Sequence, residues 1–204
     1  MARKKIVFVI VEGPSDDEAL GVLFSRIFDR NSVFVHIMHR DITTDRGVRQ
    51  DNILSHLGNE VRAYAKSNHF TNKDFQEIIH ITDTDGAYVP DECITEDPSA
   101  KHPVYSPERI ATCSVKAIIT RNGQKRQNLD KLCTCNHLWN IPYRVFYMSC
   151  NLDHVLYDKL NTTDTEKEAD AYDFALRYRN DIAAFRSFIS DSDFSVSSSY
   201  KDSW

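Results

Sequence analysis

The chain predicts an α/β fold built on a parallel sheet. Three observations carry that expectation. Apolar runs of strand length, rich in β-branched and aromatic residues, occur at Ile6 to Val11, Val33 to Met38, Phe75 to Thr82 and Tyr143 to Met148. Between the first three lie stretches with apolar residues at helical spacing, the alternation that places strands side by side and parallel. The first and third runs end in acids followed by glycine, Glu12-Gly13 and Asp83-Thr84-Asp85-Gly86. The carboxyl ends of parallel strands are where such folds place their ligands.

A chain of 204 residues supports one good core, or one domain with an appendage. With 41% hydrophobic and 27% charged residues, its composition is that of an ordinary globular protein rather than a disordered or fibrous one. No apolar run approaches the roughly 18 residues a membrane span needs, so no membrane partner is expected. Met1-Ala2-Arg3-Lys4-Lys5 has the basic flank of a signal peptide, but the apolar run behind it is short and ends in Glu12. A cytoplasmic protein is expected. The cysteines (Cys93, Cys113, Cys133, Cys135, Cys150) are odd in number and scattered, which argues against a disulfide framework. Cys133-Thr134-Cys135 with His137 lacks the spacing of a zinc site.

Each element follows from local pattern. Ile6 to Val11 reads as a strand covered on both faces. Pro14, Ser15 and Asp16 then open a helix, with acids in its first turn. Ala19, Leu20, Leu23, Phe24 and Ile27 repeat at helical spacing, so this helix is expected to run to about Asp29. After the second strand, His39 to Gly47 reads as a loop on the carboxyl side. Asp41, Thr43, Thr44 and Asp45 within it read as a solvated turn. A helix over about Gln50 to Lys66 and the third strand complete a βαβαβ unit. Ala87 to Tyr105, with Pro90, Pro98 and Pro103, reads as an insertion or lid. Val115 to Thr120 reads as a strand of an accessory hairpin, and Asn122 to Leu132 as a helix. Leu152 to Leu160 starts another helix, and Thr165 to Ser190 reads as one long amphipathic helix. The tail ends on Tyr200 and Trp204; either it docks on the core or the chain continues beyond.

The chemistry is expected where Glu12, Asp83 and Asp85 converge. Close carboxylates repel and raise one another's pKa. A divalent cation relieves this, and magnesium prefers hard oxygen ligands. Successive strand side chains alternate faces, so Asp83 and Asp85 are expected to point the same way. The net charge of -5 does not mark a nucleic-acid binder by itself. Between Lys101 and Lys131, however, bases clearly outnumber acids, as a polyanion-binding face or a merely solvated one would require.

VEGPSDDEAL followed at this distance by DTDG, each after an apolar strand, resembles the TOPRIM domain, closest to the OLD-type and phage-defence-type TOPRIM nucleases. The resemblance spans about Lys4 to Ser149 and is weakest through the proline-rich insertion. It implies a TOPRIM-like Rossmannoid α/β fold with a central parallel four-stranded sheet, a small insertion and a helical C-terminal extension. In these terms residues 1–150 form the α/β domain, with the insertion at about 87–136, and residues 151–204 form the extension. It implies that Glu12 is a general acid/base or metal ligand, and that Asp83 and Asp85 bind Mg2+ or Mn2+. Asp16 carries over as a ligand of a second metal. Asp153, past the fourth strand, would complete that site or simply cap a helix together with Asn151; His154 would orient water or phosphate. Arg121, Lys125 and Arg126 are the expected nucleic-acid-binding residues. The implied activity is metal-dependent hydrolysis of phosphodiester bonds in DNA or RNA, in phage defence, with a separately encoded ATPase or other protein as partner.

Two alternatives stand beside it. Apolar strand plus D-x-D-G is also the first motif of haloacid-dehalogenase-type phosphatases, with Asp83 as nucleophile and Asp85 as acid/base, and Ser149 and Lys159 downstream. That reading leaves Glu12 without a role. The other is a non-catalytic TOPRIM-like binding module that works through a partner protein.

Overall fold

The computed structural model describes residues 4–191. The four expected strands form: β1 (Lys5–Val11), β2 (Val33–His39), β3 (Phe75–Asp83) and, after the insertion, β8 (Ile141–Met148). Their order in the sheet is β2-β1-β3-β8, all parallel, with the short antiparallel β7 (His137–Leu138) added beyond β8. The chain leaves β1 toward β2 and later returns to lay β3 on the other side of β1. The strand order therefore reverses between β1 and β3, which is the place where open α/β sheets bind ligands.

Why β1 is central follows from its residues. Ile6 is 3% exposed and Val7 to Val11 are all at 0%. A strand with no polar side chain from Ile6 to Val11 can sit only between two covered faces. One face carries Val7, Val9 and Val11 against α1 (Pro14–Ile27), α4 (Leu152–Tyr157), α5 (Asp164–Tyr178) and α6 (Ile182–Asp191). The other carries Ile6, Phe8 and Ile10 against α2 (Ile53–Ser67), with Leu132 of α3 (Val115–Cys133) in the same cluster. The helices beyond residue 150 are thus part of the core: Ala171, Phe174, Tyr178 and Phe185 are buried in one cluster with Val7, Val9 and Val11.

Three local expectations differ from the structure. Val115 to Thr120 is the start of α3 rather than a strand, because Ile118 lies on one helical stripe with Asn122, Lys125, Leu129 and Leu132, all buried. Packing of that stripe overrides the β-branched preference of the short run. The accessory sheet lies earlier, as β4 (Ile94–Glu96), β5 (Val104–Tyr105) and β6 (Ile110–Thr112) in the order β4-β6-β5. The long C-terminal helix is broken between Tyr178 and Ile182, where Asp181 Oδ1 accepts from the Ala184 N–H at 2.9 Å and starts α6 afresh. Helix α5 has its own start: Thr163 Oγ1 accepts from the Glu166 N–H, and the Glu166 carboxylate accepts from the Thr163 N–H at 2.8 Å. Tyr200 and Trp204 lie outside the described residues. No helix among the described residues is long and apolar enough to cross a membrane.

Candidate active site at the carboxyl rim of the sheet

Glu12 follows directly on β1, and Gly13-Pro14 turn the chain into α1. Pro14 opens the helix, where its missing N–H costs nothing. Asp16 Oδ2 accepts from the Gly13 N–H at 2.9 Å and fixes the turn. One oxygen of Glu12, Oε1, accepts from Thr82 Oγ1 at 2.6 Å and from the Asp83 N–H at 2.9 Å. These bonds tie the end of β1 to the end of β3. The third donor is Lys125 Nζ at 3.5 Å, which also pairs closely with Asp85 Oδ2. The Lys125 side chain is wholly buried, and those of Glu12 and Asp85 are 13% and 26% exposed.

Alternation along β3 stops at its end. Asp85 and Gly86 both take left-handed backbone conformations, with φ of 47° and 65°, so Asp83 and Asp85 do not sit as a simple strand pair. The turn is held from three sides. The Asp85 N–H donates to the Cys150 carbonyl at 2.6 Å, Arg121 donates to the Asp85 carbonyl at 2.7 Å, and Asn122 donates to the Gly86 carbonyl at 3.1 Å. The same helix holds the loop after β2: Gln124 donates to the carbonyls of Asp45 and Val48, and Asn128 to that of Thr43. Helix α3 is therefore the clamp that sets two rim loops and inserts Lys125 between them.

Burial first, and then neighbouring charge, set the protonation of the cluster. Burial pushes Glu12 up to about 7; Lys125 opposes the rise, and Asp41 and Asp85 add to it. Burial likewise holds the Asp83 carboxyl well above the ordinary carboxylate range, with Glu12, Asp85 and Asp16 acting in the same direction. Asp16 is raised, first by burial, against the lowering effect of its Gly13 bond. Burial alone would raise Asp41, but Lys125 and the hydrogen bonds from Thr44 and Thr43 outweigh it and hold this acid low. For Lys125, burial favours the neutral amine, but Glu12, Asp85, Asp41 and Asp83 prevail and keep it firmly protonated.

The expected residues divide by place. Glu12, Asp83 and Asp85 share the rim, joined by Lys125. Asp16 borders them electrostatically and leads on to Asp153, which is buried, accepts from Thr162 Oγ1 at 2.6 Å and lies 3.6 Å from Lys167 Nζ. The helix cap there is Asn151, whose Oδ1 accepts from the His154 N–H at 2.9 Å. Of the three expected nucleic-acid contacts, Lys125 faces the acids rather than solvent. Arg121 is committed to the Asp85 carbonyl, Tyr105 and Asn122. Arg126 stays about one-third exposed, 3.7 Å from Asp91. Sequence reasoning passed over Lys125 and Asp41 as members of the cluster. The signal for Lys125 was its helical register with Ile118, Leu129 and Leu132.

The donors at the rim are hard carboxylate oxygens, the chemistry a divalent cation prefers. As arranged, they do not fit one between Glu12 and Asp85, because the Lys125 ammonium takes that position. Among the described residues, no three Asp, Glu, His or Cys side chains are gathered so as to hold a metal ion. No family model, no curated protein and no solved structure matches the chain.

Proposed function

We propose that the chain hydrolyses phosphodiester bonds in nucleic acid, with Glu12 as the proton-transfer group. The observation that carries this reading is a carboxyl at the sheet's switch point, pushed up to about 7 and oriented by Thr82, the Asp83 N–H and Lys125. A general acid/base works best when its pKa lies near the working pH. In the deprotonated state Glu12 takes a proton from the attacking water; once protonated, it can return that proton to the leaving oxygen. Lys125 is buried, so its part is to hold the Glu12 and Asp85 carboxylates in place and moderate the rise at Glu12, rather than to contact a phosphate. Phosphates of the substrate backbone would meet Lys116, which is exposed on α3, and Arg126, which is about one-third exposed.

The TOPRIM resemblance supports this reading, and it also brings Mg2+ or Mn2+ to Glu12, Asp83 and Asp85. Between Glu12 and Asp85 a divalent cation would bind only in exchange for the Lys125 ammonium. The phosphatase alternative is weaker on electrostatic grounds. It needs Asp83 as an anionic nucleophile, and the raised pKa of Asp83 favours its protonated, poorly nucleophilic form. The test is to incubate the purified chain with end-labelled DNA and RNA, with chelator, Mg2+ or Mn2+, beside an aryl phosphate. Cleavage of nucleic acid that is lost in Glu12→Gln supports the proposal. Turnover of the aryl phosphate that needs Asp83 but not Glu12 supports the phosphatase. Inactivity under every condition supports a binding module.

A further inference from the structure

Strand β8 ends the parallel sheet on one side, and β7 covers only its first residues, pairing at Ile141 and Pro142. Beyond them no strand among the described residues pairs with this edge. The Tyr143 N–H turns outward to the Asn136 carbonyl, while the Met148 carbonyl turns inward to the Thr84 N–H. Backbone groups alternate sides along a strand. Val145 and Tyr147 therefore point their N–H and C=O groups outward, and among the described residues nothing pairs with them.

At the centre of this stretch a side chain on each face is largely exposed, while Val145 and Met148 pack partly against the core. Phe146 is 47% and Tyr147 45% exposed, and neighbouring positions point to opposite faces. Beside Val145 and Tyr147 lies a pocket of about 390 Å3, floored by Leu129 and rimmed by Tyr88, Asp130 and Cys133. Exposed sheet edges are ordinarily blunted by lysine, proline or bulges. The stretch from Arg144 to Met148 has none of these, and its one charge, Arg144, is paired with Glu77. The opposite edge, β2, is flanked by exposed Lys4 and Arg30.

We propose that a second copy of this chain pairs with β8 in antiparallel fashion, about a two-fold axis at Phe146. The stretch is self-complementary in that register. Phe146 meets its own counterpart. Val145 of each copy faces Tyr147 of the other, and the outward N–H and C=O groups of both are exchanged. Arg144 falls opposite Met148, so no like charges meet. The Tyr147 ring of one copy reaches the mouth of the other's pocket beside Val145. An isologous contact of this kind closes as a dimer rather than growing into a fibre. The two sheets become one, with the two acidic rims at opposite ends.

Sedimentation of the full chain at micromolar concentration tests this. The wild type is expected to run at twice its chain mass. Tyr147→Pro removes an outward N–H without touching the bonds to β3, and Phe146→Glu places charges face to face across the axis. Both are expected to lose the dimer at the same concentration while keeping the far-ultraviolet circular dichroism of the wild type. Tyr172→Glu, at an exposed aromatic on α5, should leave it intact. Hydrogen exchange gives a check without mutation: protection of the Val145 and Tyr147 amides should fall on dilution. A monomeric wild type, a dimer unaffected by both variants, or amides protected equally at every dilution (a different occupant of the edge) would overturn the proposal.

Discussion

At the scale of single residues, the rim is governed by one buried ammonium among several acids. Glu12 is raised to about 7 even with Lys125 beside it, so removing Lys125 should raise it further. Carbon-13 NMR titration of the Glu12 carboxyl should give a midpoint near 7 in the wild type and a higher one in Lys125→Met. A midpoint in the ordinary carboxylate range would contradict the burial argument. The raised value also has a consequence for stability. A carboxyl whose folded pKa exceeds its unfolded one stabilises the fold at low pH and loses that contribution as pH rises through the folded value. Glu12, Asp83 and Asp16 all shift in this direction. Thermal stability should therefore fall between about pH 5 and pH 8, and Glu12→Gln should flatten that fall, because an amide does not titrate while its oxygen still accepts from the same donors. Lys125→Met leaves Glu12, Asp85 and Asp41 without their cation. Breaking a buried pair this way costs about 3–5 kcal/mol. The loss should be largest near pH 8 and shrink toward pH 5 as Glu12 protonates, which unfolding curves at the two pH values would show.

At the scale of elements, the turn after β3 and the helix α3 make the site. A Cβ on Gly86 would lie 2.8 Å from Ile110 Cδ1 and 3.3 Å from Val89 Cγ2, at a φ of 65°. Gly86→Ala combines a clash with a strained backbone, and a loss of about 1–3 kcal/mol is expected from denaturant unfolding. That turn was only half legible in the sequence. The glycine announces a turn, but strand alternation does not foretell the left-handed Asp85. The strands were legible because apolar runs bounded by turn residues have few other solutions. Helix α3 was misread at its start, because a short β-branched run fits a strand or a helix until its packing partners are known. Its basic residues then look like one outward face, polyanion-binding or solvated. The buried stripe passes through Lys125, so the same seven-residue neighbourhood holds one internal cation and one external base, Arg126. A net count of charge cannot separate the two; helical register can.

At the scale of the whole molecule, the helices after residue 150 belong to the domain rather than resting on it. Phe174 packs against Tyr157, Tyr178, Phe185 and Phe188, in the same cluster as the inner residues of β1. Phe174→Ala should cost about 3–5 kcal/mol, and calorimetry should still show one cooperative transition. Two separate transitions would mean an independent C-terminal unit. The continuity of this core has a functional side. It holds Asp153 and Lys167, from α4 and α5, next to Asp16 at the start of α1, so a line of largely buried acids runs from Asp41 across the sheet's switch point to the C-terminal helices.

The proposed hydrolysis depends on Glu12 moving protons at the rim. Its most direct test is the rate of nucleic-acid cleavage from about pH 5 to pH 9, for the wild type and Glu12→Gln. The wild-type rate should rise with pH and level off above about 7, and Glu12→Gln should fall by roughly 10²–10⁴-fold with that inflection gone. An inflection near 7 that survives in Glu12→Gln, or a variant as active as the wild type, would contradict it.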